Sequence, residues 1–259
     1  DSPWTVDALK EYSAAFSELG GNQAEQLQEL YISKNPHETG KKNELMAAGD
    51  GSNYSIIHAK NHPYLNKFLT KHGYYDIFLI NKNGDVVYSV FKELDFATNL
   101  KTGQWRDTDI AKLFEKIMVQ KSAEEVSYVD FAPYAPSNNA PAGFMGRPIE
   151  DGDGNFIGAL IFQMPIAKLN ALFQENDSSS KTGRLMMVGA DKLLRNDVRF
   201  AKESTILKMK LDDAAVNAAL AGKKGVENDL VNENGVQVLT AYAPYEFDGN
   251  KFALIYQMD

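Results

Sequence analysis

Apolar positions at the start of the chain recur at helical spacing. Trp4, Leu9, Tyr12, Phe16, Leu19, Leu27, Leu30 and Tyr31 fall on one stripe and predict a long helix over residues 4–33. Gly20 and Gly21 sit where such a helix would kink or break. A stripe this thin suits three placements: along two domains, against its twin in a dimer, or into the core of one monomer. Residues 36–52 mix turn formers with a short helical patch. Residues 54–59 lead into a helix over 63–72, with Pro63 suited to its first turn and Gly73 to its stop.

The period then changes. Residues 75–80 are aromatic and β-branched, 81–85 (NKNGD) carry turn chemistry, and 86–91 form a second β-prone run, so the stretch reads as a hairpin. A helix follows from Thr108, with Ile110, Leu113, Phe114, Ile117 and Met118 on one face and Thr108 or Asp109 as its cap. Residues 125–131 alternate as a strand. The stretch 132–143 (APYAPSNNAPAG) is a loop too long for a tight hairpin. Strands over 144–149 and 156–164, joined by 150–155, lead to a helix over 165–174 and a linker over 176–181 (NDSSSK). The remainder shortens the same order. A strand over 184–189, a turn and second strand within 190–197 and a helix over 211–221 closed by Gly222 precede strands over 226–231, 236–243 and 251–258.

One pair of segments repeats. GDGNFIGALIFQMP (152–165) parallels FDGNKFALIYQMD (247–259), at an offset of 95 residues between Asp153 and Asp248 and 94 between Gln163 and Gln257. Each half also reads strand, turn, strand, helix and then three strands, the layout of a five-stranded antiparallel sheet with helical cover. The expected fold is therefore α+β: a long N-terminal helix followed by two PAS-like modules, each a five-stranded antiparallel sheet with helical cover. The expected division is residues 1–60 for the helix and its connection, 61–175 for the first module and 176–259 for the second.

Composition narrows the function. A net charge of -8 opposes nucleic acid, whose phosphates need a basic face, and opposes anionic lipid. With no cysteine in 259 residues, neither a disulfide framework nor thiolate or zinc-thiolate chemistry is available. No run of 18 apolar residues and no signal peptide appears, so the chain is either soluble throughout or a segment lying between membrane helices.

Motifs for catalysis and metal are missing. Asp151, Asp153 and Asn155 are spaced like the start of a calcium loop, but Phe156 stands where glycine is needed and Phe162 where a bidentate glutamate is needed, so a hairpin turn is the reading. His58 and His62 are four apart without a glutamate in the HExxH position, and Pro63 follows, so both read as solvated or capping. Asp212 and Asp213 fit a helix start. Neither a GxSxG elbow nor a P-loop occurs. A secreted hydrolase would need a paired acid and base, and none stands at a convincing spacing. No catalytic residue, metal or cofactor is expected, and the chain is not read as an enzyme.

A binding site is a better prospect. If Tyr88 points inward, alternation puts Val86 and Val90 on its face and turns Val87, Ser89 and Phe91 away. Residues 92–105 would pass over the sheet as a lid carrying Lys92, Asp95 and Trp105. Tyr128 and Asp130 share a face of their strand, Tyr134 opens the proline-rich loop, and Phe144 begins the next strand. Lys92 can neutralise a carboxylate, Asp95 or Asp130 can hold an ammonium, and the aromatics supply walls or a cation-π face.

The stretches YYDIFLINKNGDVVYSVFKELDFATNL (74–100), FMGRPIEDGDGNFIGALIFQMPIAKLN (144–170) and VLTAYAPYEFDGNKFALIYQMD (238–259) resemble the double-Cache, tandem PAS-like periplasmic sensor domains of bacterial methyl-accepting chemotaxis proteins, and the similar ectodomains of histidine kinases and diguanylate cyclases. The resemblance implies the extracytoplasmic, periplasmic part of an inner-membrane receptor, with transmembrane helices flanking residues 1–259. It also implies a small polar organic ligand in the membrane-distal module and a homodimer in the whole receptor. The ligand classes in play are amino acid, amine and carboxylate. The amino-acid type of this family carries a Tyr, Arg, Trp, Tyr, Asp, Asp pattern. Here Trp105-Arg106 is not followed by Tyr and no Arg lies between Tyr88 and Trp105, so the pattern is not met. The second module offers fewer convergent polar groups and is expected to transmit more than bind.

Overall fold

The computed structural model describes residues 3–120, 122–176, 180–232 and 235–259. The chain divides into two compact units: Asp1–Val129 with Pro133–Met164, and Asp130–Ala132 with Pro165–Asp259. In this division residues 3–60 lie in the unit of the first sheet, whose last residue is Met164.

The first unit opens with α1 (Pro3–Glu18), which buries Leu9, Tyr12 and Phe16. The predicted continuous helix over 4–33 is broken. Gly20 and Asn22 both adopt the left-handed conformation, at φ 75° and 65°, before α2 (Gln23–Gln28) and a π turn over Glu29–Ser33 resume the path. Helix α3 (Asn53–His72) starts well before Pro63, because the Ser52 side chain caps it by accepting from the Ser55 N–H. It stops where predicted, at Gly73 in the left-handed region. Pro63 lies inside this helix.

Five strands form the sheet of this unit: β1 (Asp76–Asn81), β2 (Val86–Ser89), β3 (Ser127–Tyr134), β4 (Ala140–Glu150) and β5 (Phe156–Gln163), in the order β2-β1-β5-β4-β3. Alternation along β1 separates two cores. Ile77 and Leu79 pack with α1 and α3, while Phe78 and Ile80 pack with α4 (Asp109–Met118) on the other face. On β2 the register slips between Leu79 and Ile80, so Tyr88 pairs with Leu79 and Val86 pairs with Ile80. This bulge places Val86 and Tyr88 in opposite cores, against the expectation that they share a face. The long loop predicted over 132–143 shrinks to a single 3-10 turn over Ala135–Ser137 closed by left-handed Asn138 and Asn139, and β4 begins at Ala140.

In the second unit, α5 (Ile166–Asn176) precedes β6 (Arg184–Gly189), α6 (Ala214–Leu220), β7 (Gly225–Val231), β8 (Gln237–Phe247) and β9 (Asn250–Met258), and the sheet runs β6-β9-β8-β7. The α+β class with two antiparallel sheets holds. Among the described residues this sheet has four strands where five are expected, because the run 190–197 forms isolated bridges only. The cause is a side chain acting as backbone: Asn196 accepts from the Met187 N–H at 2.8 Å and donates to the Leu185 carbonyl at 3.0 Å. Of the linker expected over 176–181, residues 177–179 lie outside the described residues. The two repeated segments supply β5 and β9, each an interior strand of its sheet.

Candidate ligand site

The polar chemistry of the first unit gathers at the end of β1 and β2. Asp76, the first residue of β1, is buried and accepts from three main-chain N–H groups through Oδ1: Ile77 at 2.7 Å, Val90 at 2.8 Å and Phe91 at 3.3 Å. It thereby fixes the turn that leaves β2. Burial, reinforced by Asp95 and Glu93, pushes its carboxyl up, and the hydrogen bonds from Ile77 and Val90 draw it back.

Lys92 follows in a left-handed conformation, φ 57°, with its side chain 1% exposed. Its ammonium donates to the Ser89 carbonyl and to Val90 O at 3.3 Å, and lies 4.5 Å from the Tyr88 ring centroid, with Phe96 at 5.5 Å and Tyr31 at 5.8 Å. Burial lowers Lys92 to about 7, with the charge of Asp76 acting the other way. Tyr88 is held from α3. The Nε2 of His62 faces the Asn43 carbonyl at 2.7 Å, which can only accept, so Nε2 carries the hydrogen and Nδ1 accepts from the Tyr88 hydroxyl at 2.6 Å. His58 stacks on His62 with ring centroids 4.4 Å apart and donates from Nδ1 to the Met46 carbonyl. Both histidines are fully buried rather than solvated or capping, and burial with the nearby Lys92 charge lowers both, His62 to about 3.

The next residue turns the other way. Glu93 accepts from the Tyr75 hydroxyl at 3.1 Å and from the Ser137 hydroxyl. It borders a cavity of about 480 Å³ whose lining includes Lys42, Tyr75, Phe91, Lys92 and Ser137. Burial raises the Glu93 carboxyl. Behind it, Asp95 is buried, accepts from the Tyr134 hydroxyl at 2.5 Å through Oδ2, and has no hydrogen-bond partner at Oδ1. Burial, with Glu93 adding to it, moves Asp95 up to about 7 despite the Tyr134 hydrogen bond.

The residues predicted from sequence divide accordingly. Asp95, Tyr134 and Phe144 come together, with the two rings 4.9 Å apart. Tyr88 and Lys92 form a second group on the helix side, and Lys92 alone of the eight also borders the cavity. Trp105 is tied to the same segment by its indole N–H, which donates to the Leu94 carbonyl at 2.9 Å. Tyr128 is buried on β3. Asp130 falls in the second unit, where its Oδ2 accepts from Arg195 Nε at 2.9 Å and Nη2 at 2.8 Å. Residues 92–105 fold back along β2 rather than across the sheet face, through Ala97 N to Val86 O, Val86 N to Thr98 O and Leu100 N to Gly84 O. Asp76, Glu93, Tyr75 and Ser137 are not among the residues the sequence singles out; for Asp76 the one local signal is an acidic residue heading an otherwise apolar strand. The turn at Asp151 is as read, its carboxylate accepting from the Asp153 and Asn155 N–H groups. Among the described residues, no group of three or more acidic, histidine or cysteine side chains is set to hold a metal.

A two-unit α+β chain with two antiparallel sheets and a charged, aromatic-walled cavity in its first unit has the plan of a double PAS-like module. A family model for the Cache domain, of the dCache_1 type, matches residues 11–259, and the chain belongs to that family. No curated protein matches it. Among solved structures it is similar to an extracellular ligand binding receptor from Desulfohalobium retbaense, at 13% identity and TM-score 0.52, covering 96% of this chain but 39% of that one. It is similar to the periplasmic sensory domain of the Campylobacter jejuni chemoreceptor Tlp1, at 13% identity and TM-score 0.50, covering 96% and 91%. The extracellular domain of a protein described as the histidine kinase rpHK1S-Z16 matches at 13% identity and TM-score 0.52, covering 96% and 90%. At such identity these likenesses establish the fold. No helix among the described residues is long and apolar enough to cross a membrane.

Proposed function

We propose that this chain is the periplasmic sensor domain of a transmembrane chemoreceptor, and that it binds a small polar organic molecule in the cavity of its first unit. The observation that carries the reading is the cavity bordered by Glu93 and Lys92, with walls from Tyr75 and Phe91. Charged groups held out of water in a concave, partly aromatic setting are what a specific small-ligand site requires. In this reading Glu93 meets the ligand, Lys92, Asp95, Tyr134, Phe144 and Tyr88 support the segment that carries it, and the domain binds without catalysing. The second unit transmits, and the whole receptor is a homodimer with transmembrane helices outside residues 1–259. The fold is shared to the same degree with the kinase ectodomain, which supports a second reading as the input domain of a membrane-bound histidine kinase or diguanylate cyclase.

Binding signals only if the two states of the receptor differ in affinity for the ligand. A thermal-shift screen of small metabolites tests the site, run on the wild type and on Thr39→Trp, which plugs the rim from an exposed position. A compound that raises the melting temperature of the wild type and not of the variant is the expected result. Silence across the screen, or equal shifts in both proteins, overturns the reading.

A further inference from the structure

A second cavity, of about 530 Å³, lies within the second unit. Among the described residues its charged lining is Lys181, Arg184 and Arg199 against Asp259. Arg184, the first residue of β6, is buried, at 6% exposure. Arg199 is half-buried and fastened: its Nη1 donates to the Ser180 carbonyl at 2.8 Å, and its guanidinium carbon lies 4.6 Å from the Phe200 ring centroid. The strand register builds a polar row beside Arg184. Arg184 pairs with Gln257 on β9, which pairs with Thr240 on β8, so the three share one face of the sheet. It is the face of Met186, Val188 and Ile255, which packs with α6. Gln257 and Thr240 are buried, yet Gln257 Nε2 and Thr240 Oγ1 have no hydrogen-bond partner. Buried donors left this way cost stability unless a ligand answers them. In the first unit the same register pairs Asp76 with Gln163, the repeat's counterpart of Gln257, so the second unit buries an arginine where the first buries an aspartate. Phe200 adds a further oddity: it is 66% exposed and holds φ 71°, a left-handed backbone that bulky side chains rarely adopt. With Val198 and Met209 it gives the cavity an apolar wall next to the cations.

We infer that this cavity of the second unit binds a small organic dianion, a phosphate monoester on a short apolar body, with its head held by Arg184, Arg199 and Lys181 and its body laid against Phe200. Guanidinium forks match phosphoryl oxygens in geometry as well as charge. Three cations against one carboxylate in the described lining suit a double negative charge, where a single carboxylate answers only half of it. A phosphoryl head also brings three acceptor oxygens, which leaves acceptors for the Gln257 amide beside Arg184 once the forks are met. The site gives the second unit a ligand of its own and stands apart from the first-unit cavity in both residues and charge.

Calorimetric titration of the whole chain with n-butyl phosphate, inorganic phosphate, butanoate and n-butylammonium tests the inference, at about pH 8, where a monoester carries nearly two charges. n-Butyl phosphate binds most tightly, inorganic phosphate and butanoate more weakly, and n-butylammonium not at all. Arg184→Gln loses about tenfold or more in affinity for n-butyl phosphate. Should that variant fail to fold, Lys181→Gln, at an exposed position, loses several-fold. Phe200→Gly separates binding from structure: glycine accepts the left-handed backbone, so the melting temperature of the ligand-free protein rises while the affinity for n-butyl phosphate falls toward that for inorganic phosphate. Thr39→Trp, which plugs the first-unit cavity, leaves these affinities unchanged. Butanoate binding as tightly as n-butyl phosphate overturns the dianion assignment, and inorganic phosphate binding as tightly overturns the role given to Phe200. Binding of n-butylammonium, silence from all four probes, indifference to both cation variants, or affinity lost in Thr39→Trp overturns the site itself.

Discussion

Replacing Asp95 by asparagine isolates the electrostatic cost of the buried cluster. In the folded chain burial moves this carboxyl up to about 7, against an ordinary value of 3.8. A shift of about three pH units at about 1.4 kcal/mol each corresponds to about 4 kcal/mol, a ceiling because neighbouring charges titrate in the same range. The sign follows from the direction. A carboxyl raised on folding contributes stability that is fully present below pH 3.8 and is lost as the pH climbs through 7. Asparagine has no proton to lose, and its side-chain oxygen still accepts from the Tyr134 hydroxyl. Its amide nitrogen stands where the aspartate oxygen already lacks a hydrogen-bond partner, which sets a pH-independent offset of about 1–3 kcal/mol against the variant. Urea denaturation of both ligand-free proteins at half-unit steps from pH 4 to 8.5 is the assay. The stability of the wild type relative to Asp95→Asn is expected to fall by up to about 4 kcal/mol between about pH 4 and 7 and then level off. A difference that stays constant with pH, or that grows in favour of the wild type, refutes the argument that Asp95 is held by the fold at the expense of its charge.

Three further outcomes are expected. His62 is lowered on folding from 6.5 to about 3, so the stability it contributes is present above pH 6.5 and is lost as the pH falls toward 3; relative to His62→Gln, the wild type should weaken on acidification from pH 6.5 to 4 in urea titrations. This slope opposes that of Asp95 over the same range, so the wild-type curve alone conceals both. Gly158→Ala brings a Cβ to 2.2 Å from the Ile80 carbonyl and 2.7 Å from Leu9 Cδ2, and is expected to cost about 3 kcal/mol or more by prising β5 from β1, read by urea midpoint. In the second unit, Arg195→Ala leaves Asp130 without its fork and should cost about 3 kcal/mol; Gly189→Ala, whose Cβ would fall 2.1 Å from Arg195 Nη2, should destabilise in the same assay.

Local periodicity makes much of this fold legible. The two-residue alternation of β1 and the helical face of α4 are visible in the chain because each element sees one boundary between water and core. The repeat identifies β5 and β9 because interior strands are apolar on both faces. Features fixed by partners distant in sequence are harder to see. Asp130 finds Arg195 across 65 positions, beyond the reach of any pattern within one strand. The missing glutamate and the following Pro63 argue for solvated or capping roles at His58 and His62, yet a neutral imidazole with a carbonyl to donate to is an aromatic ring that packs beside Tyr31 and Tyr88. The bulge in β2 is equally hidden, since Val86, Val87 and Tyr88 are interchangeable in propensity and only the register with β1 decides which faces which core. Of the segment 92–105 singled out from the sequence, Lys92, Glu93 and Leu94 border the cavity, while Asp95 and Trp105 do not, a division set by the turn that leaves β2.

Lys92 and Glu93 are consecutive, yet one addresses the aromatic and histidine layer of α3 and the other the cavity. A single peptide bond therefore spans the distance between the place where a ligand would pull and the helices that would feel the pull. Lys92 already sits in the left-handed region with its ammonium fastened, so the joint has little slack to absorb movement of its neighbour. A ligand that moved Glu93 would therefore act on the Tyr88 and His62 pair through Lys92.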